Sequence, residues 1–279
     1  MTIDTNTSAS YVSRAATNDV LLIDADFLKY YVSKDVYDWI QKNNMDPIET
    51  YGIDYLSYFV FKRIDDLIIS KINAKAYVFL FSGSSKNTFR WHLAVEKEYK
   101  GNRKPSDSYD YENKWRDMAE VMHVIKERYT VFMKDNMEAD DLASILSRSG
   151  TCIYSQDKDL KQIIGRHWDI KMNKPIEIGG EAALMFLSYQ LLAGDTGDNI
   201  PGFPGMGEKK TTDFLAGIAN VKNMPTAILK HYMTAYGLFE GIDRFVENWS
   251  LLKLRTSRGA YLKELLATEI ETINHLIKS

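Results

Sequence analysis

The chain reads as an α/β protein: a mostly parallel central sheet flanked by helices, followed by a C-terminal helical region. Two observations predict this. Short apolar runs of strand length alternate with stretches of helical apolar spacing through the first part of the 279 residues, the order that a parallel sheet covered on both faces requires. After about residue 180 no convincing strand follows, only helical patterns and turns.

Val20-Leu21-Leu22-Ile23 is a buried strand ending at Asp24, and Ile53 to Ile72 repeats apolar residues at helical spacing (Leu56, Phe59, Val60, Ile64, Leu67, Ile68). Tyr77 to Phe81 is a second strand, ended by Ser82-Gly83-Ser84-Ser85. Glu112 to Arg128 reads as helix, Tyr129 to Met133 as strand, Ala139 to Arg148 as helix, Thr151 to Tyr154 as strand and Glu181 to Ala193 as helix. A boundary falls near Gly179-Gly180, which gives a tail over residues 1–18, an α/β domain over 19–179 and a helical region over 180–279. The tail is rich in Thr, Ser, Asn and Ala and lacks the apolar centre of a signal peptide.

Apolar residues make up 45% and charged residues 26%, the balance of a soluble globular protein. No apolar run approaches eighteen residues, so no membrane span is expected. The lone Cys152 excludes an internal disulfide; in an apolar run it reads as a buried structural thiol, and a cytoplasmic setting fits (a host cytoplasm if the chain is viral).

The carboxylates carry the functional signal. Glu138-Ala139-Asp140-Asp141, Asp157-Lys158-Asp159 and Asp195-Thr196-Gly197-Asp198 form three tight clusters, and Asp24 and Asp26 close the first strand. Each cluster alone has an ordinary explanation, such as a helix cap or a charge at a helix start. Two of them, and Asp24 before them, sit just past or just before strand-like runs, where open α/β sheets bind ligands, which favours a shared cleft. Carboxylates this dense repel unless cations lie between them, and hard oxygen donors without nearby Cys or His select Mg²⁺ or Mn²⁺ over Zn²⁺. Removing these nine acids from the net charge of −3 leaves +6. Lys86, Arg90, Lys97, Lys100, Arg103 and Lys104 are concentrated in one stretch against only Glu96 and Glu98. An acidic, metal-filled cleft with basic lips suits a phosphate backbone.

Ile200 to Gly207 forms a glycine-rich turn between two helical stretches, with Gly202, Gly205 and Gly207 followed by Lys209 and Lys210. No strand precedes it, which argues against a Rossmann loop. Exposed amides and two lysines at a helix start suit sequence-independent phosphate contact, and tight helix packing is the competing explanation for the glycines.

Asp24, Tyr99-Lys100-Gly101-Asn102-Arg103, the three acidic clusters, Asn199 and the hairpin follow the order seen in flap endonucleases. More narrowly, they resemble the stand-alone 5′ nucleases of bacteriophages, relatives of the 5′-nuclease domain of bacterial DNA polymerase I. The resemblance runs from about residue 20 to at least 220. It implies a PIN/flap-endonuclease-like fold in which residues 19–179 carry a helical arch and 180–279 a helix–three-turn–helix element. It implies a 5′-3′ exonuclease and flap endonuclease acting on DNA with a 5′ flap, nick or free 5′ end, and on RNA–DNA hybrids, with two Mg²⁺ (Mn²⁺ substituting). Asp24, Glu138, Asp140 and Asp141 would serve one ion and Asp157, Asp159, Asp195 and Asp198 the other. Lys100 and Arg103 would lie beneath the arch at the scissile phosphate. Tyr99, Lys104, Gly202, Gly205, Gly207, Lys209 and Lys210 would contact DNA, with K⁺ at the hairpin. Phe89, Trp91 and Tyr99 are candidates for stacking on unpaired bases.

One departure matters. The family has an Asp just after its second buried strand, where this chain has Ser82-Gly83. Asp26 is the nearest candidate to compensate; its alternative role is a helix cap. The missing carboxylate also motivates a second reading, a catalytically weakened or silent DNA-junction-binding protein of the same fold. An RNase H-type nuclease is a third reading, disfavoured by the hairpin after Asp198.

Overall fold

A computed structural model describes residues 15–17, 19–83, 88–103, 118–256 and 267–279. Six strands form the main sheet: β2 (Val20–Asp24), β4 (Ala76–Ser82), β5 (Thr130–Lys134), β6 (Thr151–Tyr154), β7 (Gly165–Asp169) and β8 (Lys174–Ile178). Their order is β5-β4-β2-β6-β7-β8, parallel except for the antiparallel β7–β8 pair. Two short strands, β1 (Ala15–Ala16) and β3 (Ile72–Asn73), pair separately. The last residues of the expected tail are therefore tied down, and Thr17 donates its hydroxyl to Asp19 at 2.5 Å.

Between β2 and β4 run α1 (Leu28–Asn43), α2 (Pro47–Tyr51) and α3 (Tyr55–Ile64). The single helix expected over 53–72 ends in a π-helical turn, Asp65–Ile69, which closes with Ser70 N–H donating to the Asp65 carbonyl. The chain then enters β3. α4 (Phe89–Leu93) follows β4, and α5 (Met118–Lys126) leads into β5; most of the segment between them, where a helical arch is expected, lies outside the described residues. α6 (Ala139–Leu146) separates β5 from β6. Beyond the sheet come α7 (Gly180–Ala193), α8 (Glu208–Ala216), α9 (Met224–Tyr236), α10 (Leu238–Leu252) and α11 (Ala267–Lys278).

The strand alternation builds two cores. Leu21 and Ile23 of β2, with Phe79 and Phe81 of β4, pack against Val32, Val36, Phe59, Val60 and Ile125 on one face. Val20, Leu22, Val78 and Leu80 meet Leu142, Ile145, Leu146 and Ile273 on the other. Each such side chain contributes about 1.5–3 kcal/mol when fully buried, so both faces must be covered. α11 supplies Ile273, bringing the C-terminal segment back onto the sheet. A third core joins α7 to α10 and includes Tyr99. Burial pushes the Cys152 thiol up to about 12, keeping it protonated and inert at neutral pH.

β7–β8 was not anticipated. Arg166, His167, Asp169, Lys174 and Glu177 break the apolar alternation, and Pro175 sits where an edge strand tolerates it. No described helix is long and apolar enough to cross a membrane.

Candidate active site

Because β4 and β6 flank β2 on opposite sides, the chain reverses direction across the sheet at β2, and the crevice at the carboxyl ends of these strands is where such sheets bind ligands. A cavity of about 240 Å³ opens there, lined by Asp24, Asp26, Ser82, Gly83, Thr88, Lys100, Arg103, Glu138, Asp140, Asp157, Asp159 and Asp198. The clusters that are far apart in sequence do share one cleft.

Asp24 ends β2 and accepts a hydrogen bond from the Ser155 hydroxyl at 2.9 Å, across to the end of β6. Burial, then the charges of Asp26 and Asp157, push its carboxyl up to about 7, against the lowering pull of Ser155. Asp26 accepts from the Ser82 amide at 3.1 Å. It caps no helix: α1 begins after Phe27 without a side-chain cap.

Glu138 precedes α6 and is buried among cations. Burial pushes its carboxyl up, but Lys100 and Arg90 outweigh this and hold it below the ordinary range. Asp140 is driven well above that range, first by burial and then by Asp141 and Glu138, although Arg90 opposes the shift. Asp141 is fully buried and does not line the cavity. Its Oδ2 pairs with Arg90 Nη1 at 2.7 Å, its Oδ1 with Nη2 at 3.1 Å, and Oδ1 also accepts from the Arg255 amide at 2.9 Å. Asp141 was expected among the ligands, but here it anchors the buried Arg90.

On the other side, Asp157 accepts from the Asp159 amide at 2.9 Å and caps a short 3₁₀ turn. Burial and the Asp157 charge push Asp159 up to about 6. Gln190 donates to Asp159 at 2.7 Å, and Lys158 bridges Asp159 to the buried Asp195. Asp195 also accepts from Gly197 N–H at 2.8 Å, which closes the loop carrying Asp198.

Tyr99 to Arg103 is stitched to that loop. Lys100 N–H donates to the Asp198 carbonyl at 2.9 Å, and Asn102 donates to the Thr196 carbonyl at 2.6 Å. Asn199 donates to the Glu98 carbonyl at 2.8 Å, and Arg103 pairs with the Asp198 carboxylate. Lys100 itself has a left-handed backbone, φ +56°, uncommon for a residue with a side chain. Tyr99, expected to contact or stack on DNA, is only 2% exposed. Its hydroxyl lies 2.9 Å from Glu138 and 2.8 Å from Asp198, joining the two acidic groups, so it serves the site from within. Trp91 packs edge-on against it.

Six of the nine carboxylates, Glu138, Asp140, Asp141, Asp159, Asp195 and Asp198, pair with four cations, Arg90, Lys100, Arg103 and Lys158. Among the described residues, no three acidic or His/Cys groups converge as a ready-made ion cage. The donor chemistry nevertheless fits hard dications. Carboxylates outnumber their partners, Asp24 and Asp159 are strained toward protonation, and the buried Thr88 hydroxyl on the cavity wall has no partner among the described residues.

At the hairpin, Gly194 and Gly202 meet backbone to backbone: a Cβ on Gly202 would lie 2.2 Å from Gly194 N. Gly202, expected at the DNA surface, is therefore required for packing. Gly205 and Gly207 face open space, and Lys209 and Lys210 are exposed in the first turn of α8. Lys104 lies outside the described residues. In the sequence Arg90 is one member of a basic stretch. Its position between Phe89 and Trp91 was the signal that it is buried.

No family model matches the chain. It is 28% identical over 192 residues to a 5′-3′ exonuclease of Buchnera aphidicola, covering 62% of this chain and 63% of that protein. It is 29% identical over 198 residues to a flap endonuclease Xni of Shewanella amazonensis, covering 62% and 73%. The match spans about six-tenths of the length of that Buchnera relative and of a second Xni, from Shewanella piezotolerans. Among solved structures, the bacteriophage T5 D15 flap endonuclease in a pseudo-enzyme–product complex with DNA and metal ions superposes with a TM-score of 0.59 at 18% identity, covering 93% of this chain and 99% of that one. The T5 5′-exonuclease with bound zinc gives 0.57 at 18% identity, covering 93% and 97%. The chain therefore resembles 5′-3′ exonucleases and flap endonucleases in sequence and shares the fold of the T5 5′-exonuclease.

Proposed function

We propose that this chain is a divalent-metal-dependent, structure-specific 5′ nuclease, a 5′-3′ exonuclease and flap endonuclease on DNA flaps, nicked duplexes and RNA–DNA hybrids. The observation that carries this reading is the single cleft at the sheet's reversal point, where two acidic groups face each other across the Tyr99–Arg103 loop. The names of the sequence relatives support it.

Asp24, Glu138 and Asp140 would hold one Mg²⁺, with Asp141 steadying them through Arg90. Asp157, Asp159, Asp195 and Asp198 would hold the second. Bound dications lower the pKa of water and neutralise charge on a phosphodiester undergoing in-line displacement. Lys100 and Arg103 sit at the rim of the same cavity, where they bind and orient the scissile phosphate and offset charge developing on its oxygens. Tyr99 holds that loop against both acidic groups. Lys209, Lys210 and the open Gly205–Gly207 turn would grip the duplex backbone, with K⁺ at the turn. The competing reading, a junction binder without chemistry, draws on the absence of a carboxylate at Ser82-Gly83.

Product mapping on a 5′-flap, a nicked duplex and an RNA–DNA hybrid, with Mg²⁺ and with EDTA, tests the proposal. Asp195→Asn should lower the single-turnover rate at least a hundredfold while duplex binding stays measurable. Unchanged cleavage in that variant removes Asp195 from the metal set. Binding by the wild type without Mg²⁺-dependent cleavage on any of the three substrates decides for the silent binder.

A further inference from the structure

The end of β4 has no acidic side chain, and its geometry leaves no room for one at Gly83. A Cβ there would lie 2.5 Å from the Lys134 carbonyl oxygen and 3.1 Å from Asp135 Cα, both backbone atoms of the neighbouring strand end. Gly83 N–H also donates to the Met137 carbonyl at 2.9 Å, fixing the chain in that position. Ser82 is committed as well, since its hydroxyl accepts from the Ala139 amide at 2.9 Å and thereby satisfies an otherwise unpaired donor at the start of α6. Neither residue can turn a carboxylate into the cleft without rearrangement.

Asp26 reaches this place from the adjacent strand. β2 and β4 are paired through Asp24 and Leu80, and the ladder continues with Ala25 N–H donating to the Leu80 carbonyl at 2.9 Å. One residue on, Asp26 extends over the end of β4, and its Oδ1 accepts from the Ser82 amide at 3.1 Å. That single bond uses one of the four lone pairs of the carboxylate. Asp26, Ser82 and Gly83 all line the same cavity as Asp24, Glu138 and Asp140.

We propose that Asp26 supplies the carboxylate of the β4 strand end, anchored there by the Ser82 amide, and is a holding group for the divalent cation on the Asp24 side of the cleft. This rests on the nuclease reading. It makes the missing strand-end Asp a relocation of charge, from one strand end to its neighbour, rather than a loss.

The test is direct Mn²⁺ binding to the substrate-free full chain, with free Mn²⁺ followed by electron paramagnetic resonance. Wild type, Asp24→Asn, Asp26→Asn and Asp26→Ser are compared, each checked for wild-type circular dichroism in EDTA. Asn retains an oxygen in the place of the one that accepts the Ser82 N–H, so it removes charge while sparing the anchor, and Ser removes the whole carboxylate. Both Asp26 variants should bind the tighter Mn²⁺ about tenfold more weakly, the scale of losing one supporting group at a metal site, and Asp24→Asn should weaken it at least as much. Affinity within twofold of wild type in both Asp26 variants, alongside a weakened Asp24→Asn, overturns the role of Asp26 and leaves the nuclease reading intact. A wild-type chain that takes up no Mn²⁺ overturns both.

Discussion

Arg90 joins three segments by one buried guanidinium. It pairs with Glu138 at 2.7 Å, forks onto Asp141, and donates to the Leu251 carbonyl at 2.8 Å near the end of α10. Its exposure is 2%, so these charges interact with little screening by water. A lone carboxylate in that position would be costly, and the arginine converts the cost into a fixed orientation for Glu138 and for the start of α6 just after it, which carries Asp140. Arg90→Met removes the charge but preserves much of the packing volume. It should destabilise the chain by about 3–5 kcal/mol, the usual cost of breaking a buried pair by removing one partner, measured by urea unfolding in EDTA at pH 8. A loss below 1 kcal/mol would show that Glu138 and Asp141 find other partners. Lys100 differs in kind, being partly exposed at the cavity rim. Lys100→Ala should lower the saturated single-turnover rate and leave the duplex dissociation constant within about threefold. A variant that lost affinity alone would place Lys100 in substrate capture only.

Among the elements, the turn between α7 and α8 divides into a packed part and an open part. Gly194 and Gly202 hold the two ends of the loop together, and Phe203 N–H donates to the Leu192 carbonyl at 2.8 Å. The outer part presents Gly205, Gly207, Lys209 and Lys210 to solvent at the start of a nine-residue helix. The helix dipole and the two ammonium groups there both favour a phosphate. If the proposed duplex contact is right, Lys209→Ala and Lys210→Ala should each reduce the slope of log K against log salt by about one, since each lysine would release one counterion equivalent. Fluorescence anisotropy from 50 to 200 mM salt reads this directly, and an unchanged slope in both variants would move the duplex to another face. The sequence showed this element's existence and its lysines, because glycines and charges are local signals. It did not show which glycine packs and which is free, since that depends on how closely Gly194 approaches Gly202 in space.

The same distinction applies to the whole molecule. β2, β4 and β6 were legible because strands buried on both faces are continuously apolar; Asp24 and Asp157 were legible because they follow such strands, and the acids at 138–141 and 195–198 because they are densely clustered in the sequence itself. The β7–β8 edge, the return of α11 to the sheet and the pairing of Arg90 with α6 were not, since each depends on contacts between segments far apart in sequence. What the fold adds is the crowding of the acids, and crowding links stability to pH and to cations. Asp24 is pushed from its ordinary 3.8 up to about 7, and Asp159 from 3.8 up to about 6. A carboxyl raised on folding contributes stability that is present below its unfolded value and is lost as pH rises through the folded value. Glu138 is shifted the opposite way, so its contribution is lost only in acid, below the window considered. In EDTA these two carboxyls should therefore lower the urea midpoint between pH 5 and pH 8, against the opposite contribution of His167, whose imidazole is held below its ordinary value by burial. A dication binds the ionised carboxylates and replaces the proton, so the increment from Mg²⁺ should be small at pH 5 and largest at pH 8. Asp24→Asn should flatten the EDTA profile and shrink the pH 8 increment. Urea titrations at pH 5, 6, 7 and 8, with and without Mg²⁺, measure both quantities on the protein alone. An increment independent of pH would mean that the cation binds away from these crowded carboxylates.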